Sequence, residues 1–299
     1  PAEAQYTLRL SAISAGTGTA TGGTYSLRSD VAVGPVGTST GGSYELCAGF
    51  TCTYVGLRGP LQLLLDLTAY LQGAYAGGSP PMTTDLAAGG YLPSAQPFAA
   101  KGYGGTETAA PGVFTGPNPP VDWVLLRLRA TPDGATVASR AALLLGDGRV
   151  VDVDGASLVA FVDVTAGAYH AVVEAQNHLA VMSAAAVDLS SGSASYDFTT
   201  ALSQAYAGSG GSAAMREVAP GAWALWAGDA DGDGQVTAPD FNAWSAATAA
   251  GKTGYEASDF DLNGQVTAPD FNLWSQATAA GAQTAVPPAA GGSPVQQER

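Results

Sequence analysis

The stretch Asp229–Asp240 reads DADGDGQVTAPD, and thirty residues further on Asp259–Asp270 repeats the pattern as DFDLNGQVTAPD. Each copy has oxygen-bearing side chains at loop positions 1, 3, 5 and 12 and a glycine at position 6. This spacing lets a loop wrap Ca²⁺ in oxygen ligands while the glycine supplies the sharp turn. Both copies end in the same Asp-Phe-Asn-x-Trp-Ser run. The repeat therefore predicts two calcium sites.

The predicted ligands come from both loops, and each glutamine contributes its main-chain carbonyl. They are Asp229, Asp231, Asp233, Gln235 and Asp240, followed by Asp259, Asp261, Asn263, Gln265 and Asp270. Oxygen donors without thiolate or imidazole exclude zinc and copper, and magnesium prefers a smaller octahedral shell. Seven of these aspartates carry half of the net charge of −14, so cation binding is expected to be coupled to folding. The alternative is a solvated acidic surface with turns.

One helix is predicted after each loop. Thr237 and Thr267 stand three residues before Asp240 and Asp270, which is the capping-box spacing. Phenylalanine, tryptophan and threonine then follow at i, i+3 and i+7, and an Ala-Ala-Gly ends each helix. A calcium loop with a single helix, repeated in tandem with Asp at position 12, resembles a type I dockerin module over residues 227–282. The resemblance implies an EF-hand-type loop and a cohesin-like partner.

The composition limits the other partners. The chain has 299 residues, 25 acidic and 11 basic, so no basic patch for nucleic acid or an anionic membrane surface is expected. No apolar run is long enough to span a bilayer. The chain begins at Pro1 rather than Met, which favours a processed, extracellular product. The two cysteines, Cys47 and Cys52, favour a disulfide in an exported protein, with a pair of buried thiols as the alternative.

The front of the chain is predicted to be β-rich. Residues 1–56 hold two Gly-Gly-[Thr/Ser]-Tyr-x-Leu echoes, each expected to launch a strand of a β-meander. Such a small sheet is not stable with its apolar face wet, so exchange of a strand with a neighbouring molecule is expected. The repeat resembles repeats of bacterial exported proteins.

Residues 57–226 are predicted to form a β-sandwich. The strand candidates are Leu61–Leu67, Val121–Arg129, Arg140–Leu145, Arg149–Val153, Tyr169–Glu174, His178–Ser183 and Ser195–Thr199. Between Gly73 and Pro120 an irregular surface excursion is expected. Phrases such as Asn-His-Leu-Ala-Val-Met-Ser resemble a module near the C-termini of secreted Bacteroidota-type surface proteins. Residues 283–299 are a Pro/Gly-rich tail without a core-forming pattern. The predicted fold class is mainly β, with a small α-helical dockerin-like module.

No nucleophile elbow, phosphate-binding glycine loop or zinc motif occurs, so the chain is predicted not to be an enzyme. His170, His178 and Glu174 could build a metal or acid–base site, but a structural role is favoured. The same holds for Asp152, Asp154 and Asp163, which could otherwise suggest a glycosidase pair.

Two functions remain. The first is a non-catalytic extracellular structural protein, a calcium-stabilised subunit that assembles with copies of itself into a fibre or matrix by strand addition. The alternative is a dockerin-like anchor, or a carbohydrate- or surface-binding module on a scaffold with a cohesin-like or polysaccharide partner. Loop positions 10 and 11 are Ala-Pro in both copies. Cohesin-binding dockerins usually carry hydroxyl residues there, which counts against a cohesin partner and leaves a polysaccharide partner open.

Overall fold

The chain forms two compact units, Pro1–Leu61 and Gln62–Arg299. The structure, a computed structural model, describes residues 17–22, 25–30, 62–208 and 215–290. In the first unit β1 (Thr17–Gly22) pairs antiparallel with β2 (Tyr25–Asp30). The strand predicted after the first Gly-Gly pair is therefore confirmed as β2. The second Gly-Gly echo and the predicted disulfide between Cys47 and Cys52 lie outside the described residues, and the predicted module boundaries stay predictions.

The second unit is mainly β, as predicted, and ends in two helices. Its strands are β3 (Gln62–Thr68), β4 (Pro120–Arg129), β5 (Thr136–Leu145), β6 (Arg149–Val151), β7 (Val159–Val162), β8 (Ala168–Glu174), β9 (Val181–Met182), β10 (Val187–Asp188), β11 (Ser193–Asp197), β12 (Met215–Ala219) and β13 (Ala222–Leu225). Its α-helices are α1 (Asp85–Ala88), α2 (Ala238–Ala249) and α3 (Ala268–Ala279).

Nine of the strands form one mixed sheet that curls on itself. Its path is β10-β8-β4-β5-β6-β3-β11, with β7 beside β3 and β9 beside β8. Seven flat strands would hold the outer two about 29 Å apart. Only four residues join β10 to β11, and five Cα–Cα steps reach about 19 Å. The sandwich expected over residues 57–226 therefore takes the form of a single curled sheet.

The core fills the inside of this curl. Leu63, Leu65 and Leu67 of β3 are buried while their neighbours are more exposed, which confirms the predicted alternation. Strand β4 is buried on both faces over most of its length. Residues of the 73–120 segment also pack into this core, among them Leu86 and Phe98, and help to bury the strand. The prediction of a purely surface excursion is thus wrong, because its apolar side chains cover the sheet.

Some strand predictions needed tertiary information. Strands β7 and β10 and the pair β12–β13 were not predicted, and the strand expected at His178–Ser183 is reduced to Val181–Met182. The reason is a competing set of bonds. His178 forms an isolated bridge with Ala227, and the Leu179 N–H donates to the Trp226 carbonyl. These bonds join the sheet to the start of the first acidic loop.

Helices α2 and α3 begin where the sequence predicts. Thr237 and Thr267 are their N-caps, each in a complete capping box with the aspartate three residues later. The aromatic side chains of the two helices pack against each other at tilted angles, with centroids of Phe241 and Trp274 5.2 Å apart. Each indole also reaches the other repeat, since Trp244 donates to the Thr267 carbonyl and Trp274 to the Thr237 carbonyl, both at 2.9 Å. The two repeats therefore form one helical pair.

Candidate metal centre

The first acidic loop brings together three of the predicted carboxylates. Oxygens of Asp229, Asp231 and Asp233 all lie within 4.8 Å of one another. Asp229 is buried, with 3% of its surface exposed, while the other two face solvent. Asp240, the position-12 residue, is outside this group of three and fully buried. Three carboxylates at this separation can hold a metal ion.

The second loop forms a similar group with a different membership. Oxygens of Asp259, Asp261 and Asp270 lie within 4.8 Å of one another. Asp259 and Asp270 are both buried. The Asn263 amide donates to the Asp261 carboxylate at 3.0 Å, so the position-5 side chain lies beside the same group. In this second loop the predicted ligand positions 1, 3, 5 and 12 therefore converge.

The position-12 aspartates close both loops in the same way. Asp240 Oδ1 accepts hydrogen bonds from the N–H groups of Ala230 and Asp231, and its Oδ2 accepts one from Thr237. Asp270 repeats this pattern with Phe260, Asp261 and Thr267. One carboxylate thus joins the start of the loop to the start of its helix. The capping box and the loop closure are one local structure.

The position-6 glycines complete the turn. Gly234 and Gly264 have φ values of 86° and 83°, a backbone region that favours glycine. Their N–H groups donate to the position-1 carboxylates of Asp229 and Asp259, at 3.3 and 2.8 Å. The N–H groups of Gln235 and Gln265, the predicted carbonyl donors, bond to Asp233 and Asn263, both at 2.8 Å. The loop backbone is therefore folded around its own acidic side chains.

One oxygen in the first loop has no partner within the described part of the chain. Asp229 Oδ1 is buried and accepts no hydrogen bond. Burial is the main cause that raises the pKa of Asp229 to about 7, and the carboxylates of Asp240, Asp233 and Asp231 raise it further, against the Lys101 ammonium. A buried carboxylate with an unpaired oxygen is costly unless a cation neutralises it. The donor set thus fits a bound cation.

The second loop has the same electrostatic problem. Burial raises the pKa of both Asp259 and Asp261, and the nearby Asp270 carboxylate raises them further. The pKa of Asp270 is also raised, mainly by burial. Burial raises all three pKa values, and neighbouring carboxylates add to the shifts of Asp259 and Asp261. A divalent cation would offset both the burial of these charges and the repulsion between the carboxylates.

The sheet contributes residues to these loops that the sequence analysis missed. The buried side-chain amide of Asn177 donates to the Asp259 carbonyl at 2.6 Å, and its main-chain carbonyl accepts from the N–H groups of Gly228 and Asp229, both at 3.1 Å. Gly73 lies so close to the second loop that a Cβ there would be 1.8 Å from the Phe260 carbonyl. No spacing in the sequence connects these positions to the loops, which are more than fifty residues away.

The tail also touches the first loop. Residues 282–290, here called the C-terminal strap, leave α3 and pass Gly234, whose carbonyl accepts from the Thr284 N–H at 2.8 Å. The Thr284 hydroxyl donates to the Ala180 carbonyl at 2.6 Å, and Arg129 donates to the Pro287 carbonyl at 2.6 Å. Hydrogen bonds to main-chain carbonyls need no apolar pattern, so the composition of the tail could not predict them.

The other candidate sites have separate partners. His170 Nδ1 bonds to the Ser183 carbonyl, His178 bonds to Asn177 and Gly73, and Glu174 pairs with Arg127 at 2.6 Å. Among the three aspartates, Asp152 pairs with Arg140 and Asp154 caps a turn at Ser157. Asp163 is exposed in a left-handed turn conformation, with φ 61°. His170, His178, Glu174, Asp152 and Asp154 thus each have a hydrogen-bond partner within the fold.

In the described ranges no helix has both the length and the apolar character needed to cross a membrane. Comparisons with protein-family models, with curated proteins and with solved structures found no match to this chain.

Proposed function

We propose that this chain is a non-catalytic structural protein in which two Ca²⁺ ions hold the helical pair and the sheet together. The observation that carries the proposal is the buried, unpaired oxygen of Asp229 inside a group of three carboxylates. The donors of both loops are oxygens, and a twelve-residue loop with glycine at position 6 suits Ca²⁺ better than the smaller Mg²⁺. When bound, the ions neutralise the charge that the loops bury.

The role of the ions in this proposal is to stabilise the fold. The position-1 aspartates are buried, like those at position 12, and the main chains of both position-1 residues are bonded to Asn177 of the sheet unit. The second loop also places Phe260 and Leu262 among buried side chains. A loop that is packed this deeply cannot open and close as a sensor does without breaking the core. Calcium binding is therefore expected to be part of folding.

The proposed setting is extracellular, where calcium is abundant, and the proposed partner is a second copy of this chain. In the first compact unit the described strands, β1 and β2, form a two-stranded sheet, which is marginal in water alone. Strand addition between subunits would place further strands beside this pair and would extend into filaments or a matrix. Electron microscopy of the purified chain in calcium and in EGTA tests this. Monodisperse monomers in calcium at high concentration would contradict assembly.

A dockerin-like anchor is the second candidate. It is favoured by the pseudo-symmetric pair α2 and α3, whose packed aromatic side chains, among them Trp244 and Trp274, are only half-buried. Such a pair could present a surface to a cohesin-like scaffold or a polysaccharide. A pull-down with immobilised cohesin domains and a panel of polysaccharides distinguishes this candidate from self-assembly.

The calcium proposal has a direct test. Elemental analysis of the intact chain after dialysis is expected to find two calcium ions per molecule, and Asp229→Asn and Asp259→Asn are each expected to lose one. Asp163→Asn is the matched control, because it removes the same charge from an exposed turn that already has positive φ. Absence of bound calcium in the unaltered chain, or an equal loss in the control, would overturn the proposal.

A further inference from the structure

The two acidic loops meet at one residue of the sheet unit. Asn177 follows β8 and has no exposed surface. Its main-chain carbonyl accepts from Asp229 of the first loop, at 3.1 Å, and its side-chain amide donates to the carbonyl of Asp259 of the second loop, at 2.6 Å. Asp229 and Asp259 are both position-1 ligands. A single residue thus bonds to the same position of both repeats.

The orientation of this amide is fixed from the other side. The Nδ1–H of His178 donates to the Asn177 Oδ1 at 2.8 Å, and the His178 Nε2 accepts from the Gly73 N–H at 3.2 Å. Because Oδ1 is held by the imidazole, the amide nitrogen must point to the second loop. The Asn177 amide and the His178 imidazole are both buried, so solvent does not compete for the hydrogen bond that fixes this orientation.

We infer that Asn177 is a positioning residue that couples the two cation sites, so that filling one site strengthens binding at the other. This inference rests on the proposed calcium function. Ordering Asp229 in the first loop fixes the peptide of Asn177, and that in turn fixes the amide that holds the main chain of Asp259. The entropy of ordering Asn177 is then lost once for two ions, which is the condition for positive cooperativity.

A second route between the repeats runs through the helices. Trp244 donates to Thr267 and Trp274 to Thr237, so each indole bonds to the N-cap of the other helix. These bonds act at loop position 9, far along the loop from the position-1 aspartates. Mutation can separate the two routes. The inference concerns only the coupling between the cation sites that depends on Asn177.

The experiment is a coupling measurement on the full chain, with calcium titrated by calorimetry after EGTA treatment. Asp261→Ala leaves the first site alone and Asp231→Ala leaves the second. The coupling factor is the binding constant for both ions in the intact chain divided by the product of the two single-site constants. We expect a factor of at least about five in the unaltered chain and a drop towards one with Asn177→Ala.

Gln72→Ala is the matched control. Gln72 is also a buried amide, and its Oε1 accepts from the N–H of Ala227, just before the first loop, at 3.1 Å, but it bonds to neither position-1 aspartate. It is expected to lower stability and keep the coupling factor. Trp244→Phe measures the helical route. If Asn177→Ala fails to fold, Asn177→Asp keeps the side-chain volume and the acceptor for His178 while removing the donor.

The outcomes separate this inference from the proposed function. A coupling factor near one in the unaltered chain, with two ions bound, overturns the inference alone. A factor that Asn177→Ala or Asn177→Asp leaves unchanged, or that Gln72→Ala lowers equally, also overturns it. An intact chain that binds no calcium overturns the proposed function first. A factor that falls with the Asn177 variants and stays with Gln72→Ala supports the inference.

Discussion

The hydroxyl of Tyr255, between α2 and the second acidic loop, donates to Oδ1 of Asp122 in strand β4 at 2.8 Å. Asp122 lies in β4 with no exposed surface, and its other carboxylate oxygen has no partner among the described residues. Burial raises the pKa of Asp122 to about 7, although the bonds from Tyr255 and from the Trp123 N–H lower it. The carboxyl is therefore a group whose ionised form the fold disfavours.

This pair predicts a loss of stability as the pH rises. The pKa of Asp122 is higher in the folded chain than in the unfolded one, so the folded state holds the extra proton between pH 4 and 7. The contribution of this group is full below pH 4 and is lost as the pH rises to about 7. It amounts to at most about 4 kcal/mol. Urea unfolding in EGTA across this range, with Asp122→Asn as the comparison, measures it.

The difference between the two curves isolates Asp122, because the acidic loops titrate in both proteins. The variant is expected to become relatively more stable as the pH increases. Parallel curves for the two proteins would mean that Asp122 is ionised as easily in the folded chain as in the unfolded one.

His178 predicts the opposite dependence. Its burial lowers the pKa to about 3 from an ordinary value of 6.5, and its Nε2 must stay unprotonated to accept from Gly73. The folded state therefore holds fewer protons than the unfolded state below pH 6.5. This stability is present above pH 6.5 and is lost as the pH falls towards 3. His178→Gln, which does not titrate, is expected to remove that part of the acid sensitivity.

The comparison is made with the free energy of unfolding between pH 7 and 4, again without calcium. A slope that is as steep in His178→Gln as in the unaltered chain would assign the acid sensitivity to other groups.

The local parts of this structure could be predicted from the sequence. The loops, the caps at Thr237 and Thr267 and the strand alternation of β3 depend on residues a few positions apart, so spacing alone indicates them. What sequence reasoning missed is long-range. The bonds from Asn177 and the close approach of Gly73 depend on how the sheet curls, and no periodicity records that.

The same distinction explains the 73–120 segment. Its glycines and prolines predict an irregular course, and the course is irregular. Whether an irregular segment lies on the surface or in the core depends on which apolar side chains it carries to the sheet. Leu86 and Phe98 are too sparse in the sequence to form a pattern, yet both are buried.

Gly73 predicts a site-specific effect on calcium binding. A Cβ at Gly73 would lie 1.8 Å from the Phe260 carbonyl, so Gly73→Ala must displace the backbone of the second loop. A clash of this kind costs about 1–3 kcal/mol. We expect Gly73→Ala to lower the melting temperature. We also expect it to reduce the calcium affinity of the second site more than that of the first. Titrations in the background of Asp231→Ala and of Asp261→Ala report the two sites separately.

Gly104→Ala is the control for this variant. Nothing lies within 4 Å of a Cβ at Gly104, and the residue has no positive φ. It is expected to leave the melting temperature and both sites unchanged. Equal behaviour of the two alanine variants would show that the second loop tolerates displacement.

The C-terminal strap predicts that the tail stabilises the first loop. Six hydrogen bonds join it to the rest of the described chain: Ala282 to Ala277 and to Val236, Thr284 to Gly234 and to Ala180, Arg129 to Pro287, and Ala290 to Asp133. At roughly 0.5–1.5 kcal/mol each, a chain that ends at Gly281 should melt at least about 5 °C below one that ends at Ala290. Comparing these two lengths isolates the contribution of the strap to stability.

Removal of the strap should also reduce the calcium affinity of the first site more than that of the second, because Gly234 and Val236 belong to the first loop. Equal melting temperatures of the two chains would show that the strap does not stabilise the fold.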